Sequence, residues 1–192
     1  AWTLNAGARI DTLRVENDAS ADWPARNVDD ESWNIHAGGT YAFSERLSCK
    51  VIGALGYRAP SLEERYQVID LGGGRIKLGD PELDSESSRF AEAGLDWRAD
   101  SLRFNLAAFV NVLDDLVAET PRDEATIVNA NIGEARIVGI ECSARWSPAP
   151  AWTLDAQAAW LDGRNRSDDD PLPDVPPLNG LAGLTWRPVD GL

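Results

Sequence analysis

Four kinds of side chain in this sequence could do chemistry. Carboxylates crowd three segments, 16–31, 114–124 and 168–174. Clustered carboxylate oxygens suit a hard cation such as calcium, but no stretch has the twelve-residue EF-hand pattern, and solvated loops account for such acids equally well. Cys49 and Cys142 belong to no CxxC pair, and with His36 as the single histidine a zinc site has almost nothing to build on. His36 could serve a hydrolytic serine only if Ser48 lay across a hairpin from it, with Asn34 and Thr40 as its neighbours. Gly72-Gly73-Gly74 is glycine-rich, but no P-loop lysine pattern follows, so the run reads as a flexible tip.

The 192 residues carry a net charge of −14. Nucleic-acid binding wants a basic face, so that class is set aside. No apolar run is long enough for a membrane-spanning helix. No signal peptide is visible at the N-terminus. The chain starts and stops beside strands, which reads as a fragment of a longer protein.

The elements that must position these residues alternate with period two. Strands are expected at about 2–12, 33–43, 47–57, 90–98, 102–112, 135–146, 152–160 and 178–187. Trp33, Ile35, Ala37, Gly39 and Tyr41 share one face against Asn34, His36 and Thr40. Leu102, Phe104, Leu106, Ala108, Val110 and Val112 oppose Arg103, Asn105 and Asn111 in the same way. Connections alternate long and short, and no charged residue is expected on any apolar face. The two cysteines fall on apolar faces of separate strands, which predicts two buried, inert thiols.

Alternation does not say which face meets water: a soluble sandwich hides its apolar face, a membrane barrel turns it to lipid. Two features favour the barrel. The apolar faces are rich in Ala and Gly, which fill a soluble core poorly. Tyr41, Phe43, Trp97, Trp146 and Trp152 collect beside the short turns, as an interfacial girdle requires. The expected fold is therefore all-β: an antiparallel transmembrane β-barrel wall of about eight meandering strands, open along two unpaired edges.

The longest irregular segment, 56–90, carries the most distinctive runs. Loops of that length in a compact domain usually have a function. Tyr57-Arg58-Ala59-Pro60-Ser61-Leu62-Glu63-Glu64-Arg65-Tyr66 resembles the FRAPSxxELY run of TonB-dependent outer-membrane receptors. Gly79-Asp80-Pro81-Glu82-Leu83 with Glu86-Ser87 resembles their GNPxLxPExS run, with Asp80 where Asn is usual and Asp84-Ser85 where Lys-Pro is common. Phe109 and Asp115-Leu116-Val117 resemble the end of the next hairpin. Asn131, Gly133, Ala135, Gly139 and Glu141 are similar to N-x-G-x-A-x-x-x-G-x-E. The four runs keep the family's order and spacing over most of 57–141.

The resemblance implies part of a plugged barrel of the 22-stranded transporter type. Residues 1–192 would form a partial barrel domain, lacking the plug and the final strands. The family imports ferric siderophores, haem, cobalamin and some sugars or other metals, using energy delivered by TonB through the absent N-terminal region. Its haem branch has a histidine between the two motif runs; none occurs here from Arg58 to Leu83. The implied function is uptake of a metal chelate, a ferric siderophore or cobalamin, with no catalysis and no resident cofactor or metal. Outer-membrane lipid or lipopolysaccharide would surround the wall. Because ligand contacts in the family are often aromatic and arginine, Arg58, Arg65, Tyr66 and Arg75 are the expected loop contacts. Arg58 and Glu141 lie on the polar face, where a barrel would direct them to its lumen. The alternatives are a small structural or adhesive eight-stranded barrel and an outer-membrane enzyme built on His36.

Overall fold

The computed structural model describes residues 1–19, 23–167, 169–173 and 175–188. Asp168 and Asp174, which bound the third acidic run, lie outside them. The elements are β1 (Trp2–Asn17), β2 (Arg26–Ala42), β3 (Leu47–Arg58), α1 (Leu62–Tyr66), β4 (Val68–Gly72), β5 (Arg75–Leu78), β6 (Glu86–Arg98), β7 (Leu102–Asp114), β8 (Val117–Pro121), β9 (Thr126–Asn131), β10 (Ala135–Ala149), β11 (Trp152–Asn165) and β12 (Leu178–Trp186).

Eight of the strands form one antiparallel sheet in the order β1-β2-β3-β6-β7-β10-β11-β12. It is a meander: each long strand pairs with the next in sequence once the short loop strands are set apart. It is open, with β1 and β12 as its edges. Connections at one end are short. Between β2 and β3, the backbone N–H groups of Phe43 and Ser44 both donate to the Leu47 carbonyl at 2.9 and 3.2 Å, and the Ser44 hydroxyl accepts from the N–H of Arg46 and of Leu47. Pro148 lacks an N–H, so β10 and β11 lose register between Trp146 and Ala149; pairing resumes at Ala149 with Trp152 instead of ending at the turn.

Among the described residues the sheet is one layer thick and no core covers its apolar side. Leu4 is 77% exposed and Ile10 75%. Among the described residues the buried apolar side chains are Val15, Pro60, Leu83, Ala135 and Leu172, all near the long-connection end. A soluble sandwich would cover this face with a second sheet; a wall in lipid leaves it outward. Aromatic side chains mark both margins of that face. Trp2, Tyr41 and Phe43 pack together at the short-turn end, with ring centroids 4.8 Å apart in each contact, and Trp152 stacks on Trp186 at 6.0 Å. A second level at the opposite end, Trp33 stacked on Tyr57 at 6.2 Å, is an addition to the single girdle anticipated from sequence. From Trp33 to Phe43 is about 33 Å along a strand, which a tilt of ~40° projects onto the ~25 Å apolar band of such barrels.

The strands run further than alternation suggested. β1 and β2 continue to Asn17 and back from Arg26, because polar residues pair as well as apolar ones in a ladder. Charged residues occupy the apolar side towards the long-connection end: Arg14, Glu31 and Arg89 lie beyond the expected spans, and Arg136, within the expected 135–146 strand, corrects the expectation of a charge-free apolar face. The two cysteines are free and half-buried, not buried. They lie in one cross-strand row, Cys49–Leu95–Leu106–Cys142. Three strand spacings of about 4.8 Å separate them, beyond the reach of a disulfide.

Candidate functional site

The loop chemistry sits at the long-connection end, where 56–90 folds instead of remaining irregular. The site begins at the exit from β3. Ala59 precedes Pro60, which biases it to extended backbone, and Pro60 is fully buried. Ser61 then caps α1: its hydroxyl accepts from the Glu64 N–H at 3.2 Å, and the Glu64 carboxylate accepts from the Ser61 N–H at 2.7 Å. This reciprocal capping box satisfies donors that a five-residue helix could not satisfy alone.

Arg58 ties the exit together. Its Nε donates to Glu86 Oε2 at 2.7 Å, and its two terminal nitrogens hold both Glu64 oxygens at 2.8 and 3.0 Å. Burial pushes the Glu64 carboxyl up, but hydrogen bonds from Arg58 and Ser61 outweigh it and hold the pKa at about 2. Arg65 is 4% exposed; it donates to Asp30 Oδ2 on β2 at 2.9 Å and to the Pro81 carbonyl at 3.2 Å. Tyr66 meets the Trp23 ring edge-on at 6.3 Å, and its carbonyl accepts from Trp23 Nε1 at 3.0 Å. Among the described residues its hydroxyl is buried without a hydrogen-bond partner.

The second motif run closes against the first. A Cβ on Gly79 would lie 2.5 Å from the Arg65 carbonyl carbon and 2.7 Å from the Tyr66 nitrogen, so only glycine lets the two segments meet. Asp80 donates its N–H to the Glu64 carbonyl at 3.1 Å and accepts from the Glu82 N–H at 2.8 Å through Oδ1. Pro81 follows in the turn, and Leu83 is buried.

Between the motifs, β4 and β5 form a hairpin whose turn, Gly72-Gly73-Gly74, has three consecutive positive φ angles of 79°, 65° and 80°. The loop after β7 forms a hairpin too, β8 with β9. β5 pairs with β9 in parallel, Ile76 to Thr126 through Leu78 to Val128. Two loops far apart in sequence therefore make one four-stranded sheet, β4-β5-β9-β8. Side chains lock it to the wall. Glu86, 8% exposed, accepts from Arg58 and, through Oε1, from the Val117 N–H at 2.8 Å. Buried Asn129 donates to the Glu64 carbonyl at 2.9 Å. Asn131 accepts from the Asp84 N–H and donates to the carbonyls of Asp84 and Asp115. Lys77 holds Glu119 at 2.6 Å. Gly133, at φ 78°, turns the chain into β10.

Of the four loop residues singled out from sequence, Arg58 and Arg65 are engaged by carboxylates of the same chain and Tyr66 packs on Trp23. Arg75 is exposed, and its side chain makes no ion pair or hydrogen bond among the described residues. It shares a face of the β4–β5 hairpin with exposed Ile69 and Leu71. Glu141 lies elsewhere: with Lys50, Asp96, Asn105, Ser143 and Gln157 it lines a cavity of about 420 Å³ on the polar side of the wall. Gly139, on that side, lies under the cross-strand Phe109 ring, which occupies the space a Cβ would need. His36 packs over Gly7. Sequence reasoning missed Asn129, and it quoted Glu86 in the second motif run and Asp30 in an acidic segment without their roles as partners of Arg58 and Arg65. Asn129 sits in a short strand and could have been noticed only as a polar residue within it; nothing local pairs Asp30 with Arg65.

An open wall with an apolar outer side, lined with polar groups on the other and capped by co-folded loops, defines part of a transmembrane β-barrel with a structured outer face. A family model described as TonB dependent receptor-like, beta-barrel matches residues 1–192, and the chain belongs to that family. Among solved structures it is similar to the copper transporter OprC, with a TM-score of 0.82 at 21% identity over 98% of this chain and 31% of that one. It is similar to the ferric enterobactin receptor PfeA from Pseudomonas aeruginosa in complex with enterobactin (TM-score 0.73, 19% identity, 98% and 29%). The FrpB iron transporter from Neisseria meningitidis matches at a TM-score of 0.68 with 19% identity, 98% and 29%. The chain spans less than a third of the length of these structures.

Proposed function

We propose that this chain is the wall and outer cap of an outer-membrane receptor that binds a metal chelate and imports it with energy relayed by TonB. The reading rests on family membership across all 192 residues, and its carrying observation is the cap. Two loops co-fold into one sheet held by buried polar contacts, as a preorganised binding surface requires. Arg75, with Ile69 and Leu71 beside it, offers a cation next to an apolar patch. That combination suits an anionic chelate with flat organic faces, the chemistry of a ferric siderophore. Cobalamin is the second candidate. The family is one of transport receptors, and binding and passage require no covalent step. The polar side of the wall, including Lys50, Glu92 and Glu141, would face the plug. In this reading 1–192 is a partial barrel domain. A free-standing eight-stranded barrel would pair β1 with β12, and the two are opposite edges of the sheet.

The test uses the full receptor in outer membranes. Deleting 61–80 removes α1, β4 and β5 while leaving every strand of the wall. Energy-dependent uptake of a labelled ferric siderophore or of cobalamin should fall to background, with the barrel still inserted. Undiminished uptake of both, or no uptake by the intact receptor, would overturn the assignment.

A further inference from the structure

The cap sheet has two edges, and they are unlike. β8, at one edge, is largely half-buried. It carries Glu119 and Pro121, and the Val117 N–H is already taken by Glu86. Charge, proline and an occupied donor all discourage the addition of a further strand. β4, at the other edge, has none of these guards. All of its residues are exposed, Val68 at 46%, Ile69 at 41% and Leu71 at 46% among them.

The open side of β4 presents a regular set of backbone groups. The Gln67 carbonyl accepts from the Gly79 N–H at 2.8 Å. A trans peptide directs the next N–H, that of Val68, the opposite way, away from β5. The antiparallel register, Val68 to Leu78 and Ile69 to Lys77, continues the alternation. The Val68 carbonyl and the Asp70 N–H therefore face the same open side. Among the described residues no hydrogen bond reaches these three groups.

Arg75 completes the edge. Its register partner is Gly72, so no side chain stands between the guanidinium and the open side. Lys77, on the same strand, is held by Glu119; the Arg75 side chain has no such carboxylate among the described residues. Ladder bonds need a ligand with peptide N–H and C=O groups, and alternate side chains on Ile69 and Leu71 would bury its apolar atoms. From Val68 to Leu71 is about 13 Å of strand. A contact of that length covers far less than the ~800 Å² per partner of a stable protein complex, so the edge fits a short peptide and not a folded partner.

We propose that the ligand of the cap carries a short extended peptide with a carboxylate, which adds to the free edge of β4 as a fifth strand of the cap sheet and pairs its carboxylate with Arg75 across Gly72. This rests on the transport reading above and narrows the chelate to one built on a peptide backbone.

The test measures binding to the full receptor in outer membranes. The probe is a ferric trihydroxamate joined to a linear four-residue peptide that ends in a carboxylate. It is compared with two forms methylated on alternate amide nitrogens. A ladder uses every second N–H of the added strand, so one methylated form should lose binding and the other keep it. Val68→Pro removes an N–H on the open side and leaves the bond between Gln67 and Gly79. Gln67, at φ −66° and ψ 145°, already has the backbone that a following proline requires. This variant should weaken binding roughly fivefold. Arg75→Gln should weaken binding of the carboxylate probe by a similar factor and leave that of its carboxamide unchanged. Equal binding of the two methylated forms, unchanged binding by Val68→Pro, or an equal effect of Arg75→Gln on both probes would each overturn the proposal. So would uptake of peptide-free ferric siderophores by a receptor that does not bind the peptide probe. A receptor that takes up no chelate of either kind would overturn the transport reading instead.

Discussion

The wall and the cap of this chain are held by opposite means. In the wall, regular ladders supply most of the cohesion, apolar side chains point away from any protein core, and ion pairs such as Arg9–Asp11 are exposed. Such pairs contribute little in water. In the cap, Arg65, Glu86, Thr126 and Asn129 are buried polar or charged groups. A buried donor or acceptor left without a partner costs about 1–3 kcal/mol, so the cap tolerates little rearrangement. The difference follows from the solvent each region meets: hydrocarbon forbids unpaired backbone and favours closed ladders, whereas a loop in water needs side-chain anchors to resist unfolding.

The sharpest way to break the contrast is to place a charge in each region. Ala93→Arg, at mid-height on the outward side, should destabilise the folded receptor by about 2–4 kcal/mol, read from denaturant-induced unfolding in bilayers. An arginine on the outer side of the cap, as at Arg75, is already tolerated. Equal tolerance at Ala93 would mean that this side does not face lipid.

Steric closeness separates the regions next. Gly79→Ala forces a Cβ against the Arg65 and Tyr66 backbone and should cost about 1–3 kcal/mol. The loss should be confined to the cap, as faster amide exchange across 62–80 and 117–131, with the β3 and β6 amides still protected. Uniform deprotection would show that cap and wall unfold together.

Acid gives the smallest effect. The Glu64 carboxyl is held at about 2, below its ordinary 4.5. The stability it contributes is complete above about 4.5 and is lost as pH falls towards 2. Exchange protection of α1 should therefore weaken between pH 4.5 and 2. Glu64→Gln should be less stable at pH 7 and flatter across that window. A profile unaffected by the substitution would detach Glu64 from the cap's stability.

Much of the wall was legible in the sequence. The apolar set of each strand, the alternation of long and short connections and the aromatic margin at the short turns follow from period-two patterning, a local property. Strand ends were less legible, because β1 and β2 continue through residues of no apolar pattern; the outward Arg136 lies within an expected strand and was passed over because that strand's apolar set was read only from Val138 onward. In the cap, the motif runs were recognisable as runs, but not the parts they play: Arg58 sits against two carboxylates, Arg65 is buried on Asp30, and Gly79 makes a backbone contact.

The sequence by itself determined which side chains share a face, which strands are neighbours and where the turns fall, since a strand's pleat sorts residues one by one. Only the tertiary structure decided that β5 lies along β9 and that Asn129 reaches the Glu64 carbonyl. Those relations join residues far apart in sequence through backbone hydrogen bonds and cross-strand register. Backbone bonds are the same for every residue type and leave no local mark.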